Sequence, residues 1–287
     1  KLYRQKTYLN TLMKINSIPL FYHIPKNSGT YVSNCLLQAA RKHNKNKIQV
    51  MRVILQEKFI LAKLILIDNL NFLKEDDKFT SLNSAEITWN LRVEDLTEDI
   101  LQRLSIHSVV IEARGFRDTE TSLKSLFLFL AKFNLHKFLI SREPFSREQS
   151  LYNYLTSDKS SHEHTHAAFA SSSFQEHIMS KQLQDSWLIR NLLNIQHGVN
   201  LTEDTFNKAR EVLKNFKIYD AKDTDKAVKE VILKCFNIQD FDTQSSVSKK
   251  HDNIYKKIKF EELSIDAQNH FKERKFWDQK LYDFFKT

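Results

Sequence analysis

Glycine and proline are so scarce in this chain, three of each in 287 residues, that their positions carry information about where elements end. Pro25 and Gly29 follow an apolar run at 18–24 (Ile-Pro-Leu-Phe-Tyr-His-Ile). Gly115 follows a β-branched run at 108–111, and Pro144 follows another apolar run at 137–140. Each run reads as a strand, with its chain-breaker just beyond. In an α/β protein that is where ligand loops lie.

Helical patterns follow these strands. Residues 31–42 place Val32, Cys35, Leu36 and Ala39 on one face. Residues 48–54 read as a second strand, 58–68 suit either helix or strand, 75–84 read as an exposed loop, and 93–104 as a short helix. Residues 121–133 have leucine and phenylalanine at helical spacing. A further helix runs from Pro144 to about Leu155, and 158–173 is a polar, serine-rich loop. Beyond it the pattern is helical at 174–195, 202–215, 224–236 and 264–285, with Thr202 as an N-cap. Strand–loop–helix units early and helices late predict an α/β fold, a parallel sheet flanked by helices with a helical C-terminal half.

Composition narrows the function classes. With 41% hydrophobic residues the chain can bury a core, and 44 Lys and Arg against 35 Asp and Glu give a net charge of +9. That excess attracts nucleic acid, anionic sugars, phosphates or anionic lipid. Zinc-finger spacing, RNP-like stretches and dense arginine runs are missing from the sequence, so no nucleic-acid partner is expected. Cys35 and Cys235 alone exclude a disulfide scaffold and a CxxC site. No apolar run reaches about 18 residues, so no membrane span is expected in this chain. A bacterial-type cytoplasmic location fits, with a Golgi luminal domain trimmed of an N-terminal anchor as the alternative.

Two loops carry candidate chemistry. The first is Pro25-Lys26-Asn27-Ser28-Gly29-Thr30-Tyr31. A loop between strand and helix offers backbone N–H groups to an anion, with Thr30 adding a hydroxyl and Lys26 a positive charge. A Walker A loop would place lysine at its end; here lysine comes first. The second is Arg142-Glu143-Pro144-Phe145-Ser146-Arg147-Glu148-Gln149-Ser150-Leu151-Tyr152. An arginine at a strand end can hold a phosphate with its fork of donors, and Ser150 could donate to the same group. The plain alternatives are an ordinary strand–helix turn and a helix start with Pro144 near its first position.

Together the loops resemble the signature of sulfotransferases that use 3′-phosphoadenosine 5′-phosphosulfate (PAPS). There, one strand ends in a PK-x-x-GT-like loop and a later one in R-[DE]-P-x-x-R-x-x-S-x-Y. Stretches near Leu201–Tyr219, Ser248-Lys249-Lys250-His251 and Trp277–Tyr282 are similar to the carbohydrate branch of that family, the heparan/uronyl 2-O-sulfotransferase-like one. The likeness covers about residues 18–42 and 108–285. It implies a single P-loop-like sulfotransferase domain over 1–287, with PAPS as sulfuryl donor and no metal. The implied acceptor is a hydroxyl-bearing glycan or glycoconjugate. Lys26 would act on the leaving phosphate oxygen, and Asn27, Ser28, Gly29, Thr30 and Tyr31 would cradle the 5′-phosphate. Arg142 and Ser150 would hold the 3′-phosphate, and Ser248, Lys249, Lys250 and His251 would close over the nucleotide.

The sequence departs from that pattern where the acceptor chemistry lies. A Gly-His is replaced by Ile111-Glu112-Ala113-Arg114-Gly115-Phe116, and an Asn-x-Gln-x-Arg motif survives only as Arg190. Glu112 is the candidate general base, with His107 and His251 in reserve. Arg114 and Arg190 are candidates for binding the acceptor. The His162-Glu163-His164-Thr165-His166 run tempts a metal reading but sits in a serine-rich loop without a second ligand cluster. Two other classes remain open: a P-loop-like small-molecule kinase, and a non-catalytic module that binds anions or glycans.

Overall fold

A computed structural model describes residues 17–24, 27–43, 49–56, 59–65, 82–83, 86–89, 106–113, 135–156, 173–181, 183–193, 195–243 and 257–286. The strands are β1 (Ile18–Tyr22), β2 (Gln49–Gln56), β3 (Phe59–Ile65), β4 (Leu82–Asn83), β5 (Glu86–Trp89), β6 (Ile106–Ala113), β7 (Leu135–Ser141) and β8 (Lys217–Asp220). The helices are α1 (Gly29–His43), α2 (Pro144–Leu155), α3 (Phe174–Met179), α4 (Trp187–Leu193), α5 (Glu203–Leu213), α6 (Thr224–Phe236) and α7 (Ile265–Lys286). The chain divides into two compact units, Lys1–Ile140 with Asn215–Ser248, and Ser141–Lys214 with Lys249–Thr287.

The first unit is an α/β layer built on an eight-stranded sheet ordered β4-β5-β3-β2-β6-β1-β7-β8. Every residue of β1 is buried, as an all-apolar strand requires, so it takes a central place. It pairs in parallel with β6 on one side and β7 on the other, and β2 pairs in parallel with β6. The expected parallel sheet is corrected at one edge, where β3, β5 and β4 pair antiparallel. Only Glu57 and Lys58 separate β2 from β3, too few residues for a parallel crossover. The ambiguous 58–68 stretch is thus a strand over Phe59–Ile65, and 82–83, expected within a loop, pair as β4.

Helix α1 buries the face read from its spacing: Val32, Cys35, Leu36 and Ala39 are fully enclosed. They meet Phe21 and Phe138 from the sheet and Val228, Val231 and Ile232 from α6. Each valine, leucine, isoleucine or phenylalanine buried there contributes about 1.5–3 kcal/mol relative to exposure. Both cysteines are free, and burial pushes Cys35 up to about 11 and Cys235 up to about 12, which leaves them unreactive thiols.

The second unit is helical and packs Phe174, Ile178, Leu183, Leu263, Ala267 and Phe271 into one cluster. The continuous helix expected over 174–195 is corrected: α3 ends at Met179 and α4 starts at Trp187. Ser180, the C-cap of α3, is already extended at ψ 159°, which stops the helix, and Ser186, with φ 41°, lies in the left-handed region just before α4 begins. Thr202 caps α5 as expected, its side chain accepting from Thr205 N. Strand β8 has no sequence signature, being four residues without a buried one. No described helix is long and apolar enough to cross a membrane. The helices expected at 93–104 and 121–133 and the loop at 158–173, with its histidine run, lie outside the described residues, apart from Ser173.

Candidate functional site

In the first unit, β1 and β7 are neighbouring parallel strands, so both end at the same edge of the sheet. The turn from β1 into α1 is short. Asn27 N donates to Ile24 O at 3.2 Å, and Val32 N donates to Ser28 O at 3.0 Å as helical bonding begins. Ser28 takes φ 62°, a left-handed conformation that a serine adopts only when its surroundings hold it there. Asn27 is only 2% exposed, and its Nδ2 donates to Ile140 O at 2.9 Å, which ties the loop to the end of β7. The Asn27 Oδ1 has no hydrogen-bond partner among the described residues.

Gly29 is required for a reason the sequence does not display. A Cβ at this position would overlap the imidazole of His23, which stacks on Phe21 with centroids 5.6 Å apart. His23 is therefore a site-proximal residue that sequence reasoning missed; its signal is its place just before Ile24-Pro25. Thr30 is exposed, and Tyr31 is half-buried with its hydroxyl donating to Asp225. Burial, and then that hydrogen bond, push the Tyr31 phenol above its ordinary range, so it stays protonated. Glu112 lies on β6, in register with Phe21 of β1 and Ile54 of β2. Lys26, Arg114 and Ser248, Lys249, Lys250 and His251 lie outside the described residues, as does His251's neighbourhood through 256. His107 lies on β6, near its start.

In the second unit the Arg142–Tyr152 stretch separates into two roles. Glu143 is the N-cap of α2, accepting from Phe145 N at 2.9 Å and Ser146 N at 2.7 Å, with Pro144 in the first turn. Arg147 is buried 4.4 Å over the Trp187 ring. Glu148 is buried too, accepting from His177 Nε2 and from Lys275 Nζ, each at 2.9 Å. Lys275, 1% exposed, also donates to Gln184 O at 2.6 Å. Burial opposes the Glu148 charge, but the His177 hydrogen bond and the Lys275 and Arg147 cations outweigh it and bring its carboxyl down to about 2. Tyr152 packs on Phe174 and His177. Arg142 and Ser150, by contrast, are half-buried and keep exposed surface.

Arg190 is buried and serves its own unit. Its guanidinium pairs with the Asp185 carboxylate, and Nη1 and Nη2 donate to Gln196 O at 2.7 Å and Val199 O at 2.9 Å. Those bonds leave little of the fork for a ligand. Among the described residues, no group of three or more His, Cys, Asp or Glu is arranged to hold a metal. Compared with known proteins, the chain matches no family model, and no curated protein matches it.

Proposed function

We propose that the chain is a PAPS-dependent sulfotransferase that transfers a sulfuryl group to an acceptor hydroxyl on a carbohydrate, on a P-loop-like sheet. The observation that supports this best is topological. The two stretches bearing the resemblance start at the ends of neighbouring parallel strands, with Asn27 bonded to Ile140 at the end of β7. Ligands of open α/β sheets bind at that edge.

The donor groups suit PAPS. The first N–H groups of α1, Ser28 and Thr30 can all donate to a phosphate, as can Arg142 and Ser150. PAPS, when bound, supplies the activated sulfuryl group. Lys26 neutralises charge on the leaving oxygen, and the 27–30 backbone orients the 5′-phosphate. Arg142 and Ser150 hold the 3′-phosphate, and 248–251 close over the nucleotide. Glu112 is the candidate to take the acceptor's proton, and Arg114 to bind an acidic acceptor. Arg190 acts as an internal anchor.

Thermal-shift measurements with adenosine 3′,5′-bisphosphate, ATP–Mg²⁺ and heparin test the reading. Stabilisation by the bisphosphate without metal is expected. Stabilisation by ATP–Mg²⁺ alone indicates a kinase, and by heparin alone a binding module.

A further inference from the structure

A polar pocket of about 740 Å³ lies within the helical unit, and none of its lining residues is one assigned to the donor. Its size falls in the range of small-molecule sites, roughly 300–1,000 Å³. Its walls include Asp185, Ser186, Arg190, His197, Gly198 and Trp277.

The side chains there are ordered in sequence from the inside out. Buried Arg190 grips the Asp185 carboxylate from two nitrogens, with Nε to Oδ1 at 3.0 Å. The same guanidinium donates to Gln196 O and Val199 O, so it also fixes the loop that carries His197. His197 Nδ1 lies 3.3 Å from Asp185 Oδ1. An ionised carboxylate only accepts, so Nδ1 carries the proton, and in the neutral ring Nε2 holds a lone pair. Arg190 and the His197 contact offset the cost of burying Asp185 and hold it below its ordinary value, so it remains ionised. The imidazole itself is 61% exposed.

The backbone is shaped for the same purpose. Ser186 is held at φ 41°, its N donating to Arg274 O at 2.8 Å. Gly198, at φ 88°, has open space where a Cβ would be, so glycine is there for its conformation. Trp277 is braced by Phe206 at 6.2 Å and edge-on by Phe276 at 5.0 Å, with Lys280 Nζ 5.2 Å over its ring. A braced indole is a rigid platform with an apolar face. With Asp185 paired to Arg190, Lys181 and Arg274 on the walls outnumber Glu273, so the pocket keeps one positive charge in excess. A ring with many hydroxyls and one apolar face suits such a mixture, and an anionic substituent on it would meet the spare positive charge.

We propose that this pocket is a saccharide-binding site in which His197 Nε2, aligned by Asp185 and Arg190, accepts a hydrogen bond from a sugar hydroxyl while Trp277 carries the apolar face of the ring. The site stands independently of the sulfuryl-transfer reading, because binding here requires no nucleotide.

Saturation-transfer NMR on the full chain with methyl β-D-glucopyranoside and methyl β-D-galactopyranoside tests it, with methyl β-D-glucuronide as the charged comparison. Transfer is expected to at least one neutral glycoside, with the charged one bound at least as well; transfer confined to the charged one would mean a simple anion site and overturns the proposal. His197→Ala, at an exposed side chain, should keep the melting temperature and weaken binding about tenfold. His197→Gln, which retains a donor and an acceptor, should recover part of it. Trp277→Ala should abolish the transfer. No transfer from any of the three probes overturns the proposal, as does equal affinity in His197→Ala. Loss of this binding with bisphosphate stabilisation intact sinks the saccharide site alone, and the reverse result sinks only the sulfotransferase reading.

Discussion

At position 29 the residue's chemistry and its neighbour's position can be separated by mutation. Gly29 sits at a helical position, where alanine is ordinarily better by about 1 kcal/mol. Here the added methyl would collide with the His23 ring, so Gly29→Ala is expected to destabilise by about 1–3 kcal/mol. In a His23→Ala background the same change should be neutral or stabilising. Urea denaturation of the four proteins in this cycle reads out the change of sign. Arg142 permits an equally direct test of the proposed function. Arg142→Ala should weaken bisphosphate binding by about 1.5–3 kcal/mol, the worth of a charge-assisted hydrogen bond, and calorimetry that shows unchanged affinity would remove Arg142 from the site.

Among the elements, α7 is held by charges that have left water. Lys275 of α7 and His177 of α3 meet on Glu148 of α2, and Asp278 of α7 accepts from Leu188 N at 3.1 Å and Ile189 N at 3.2 Å at the start of α4. Removing one partner of a buried pair leaves the other uncompensated, so Lys275→Met should cost about 3–5 kcal/mol. Replacing both charges, as in Lys275→Met with Glu148→Leu, should cost less than either single change. Chemical denaturation of the three variants checks the order. A double variant weaker than Lys275→Met would mean that Glu148 is stabilised chiefly by other groups.

For the molecule as a whole, pH separates contributions with different windows. His136 is buried at the start of β7; its burial, helped by the Lys234 and Lys217 charges and opposed by Glu230, brings it down to about 4 from an ordinary 6.5. The unfolded chain takes up this proton at higher pH than the folded chain does. Stability is therefore full above pH 6.5, falls as pH drops, and levels off below about 4. Glu148 acts lower, its contribution being lost between its ordinary 4.5 and about 2. Asp278, held above its ordinary 3.8 by burial, regains stability as pH falls toward 3.8, so it opposes the losses above that value and not the remainder of the Glu148 loss below it. His136→Phe should flatten the stability profile between pH 6.5 and 4 without altering it below, as read from denaturant midpoints at each pH.

The order of elements was legible wherever a local pattern sufficed. Glycine and proline at strand ends, one apolar face on 31–42 and a threonine before two acids located β1, β7, α1 and α5, because strand ends, amphipathic faces and caps depend on residues close in sequence. Arg142 and Ser150 were singled out by their residue types at a strand end and by the resemblance to a sulfotransferase signature, and both keep exposed surface. What depends on residues far apart was not legible. The antiparallel edge follows from which strands meet, the placing of Ser186 from its hydrogen bond to Arg274 O, and the need for Gly29 from the ring of His23. Arg190 reads as a free cation in the sequence and becomes an internal clamp only when Asp185 and the 196–199 loop fold around it. A side chain's type is local information; the groups that occupy its hydrogen bonds are chosen by tertiary contacts, and those decide whether it meets a ligand or its own chain.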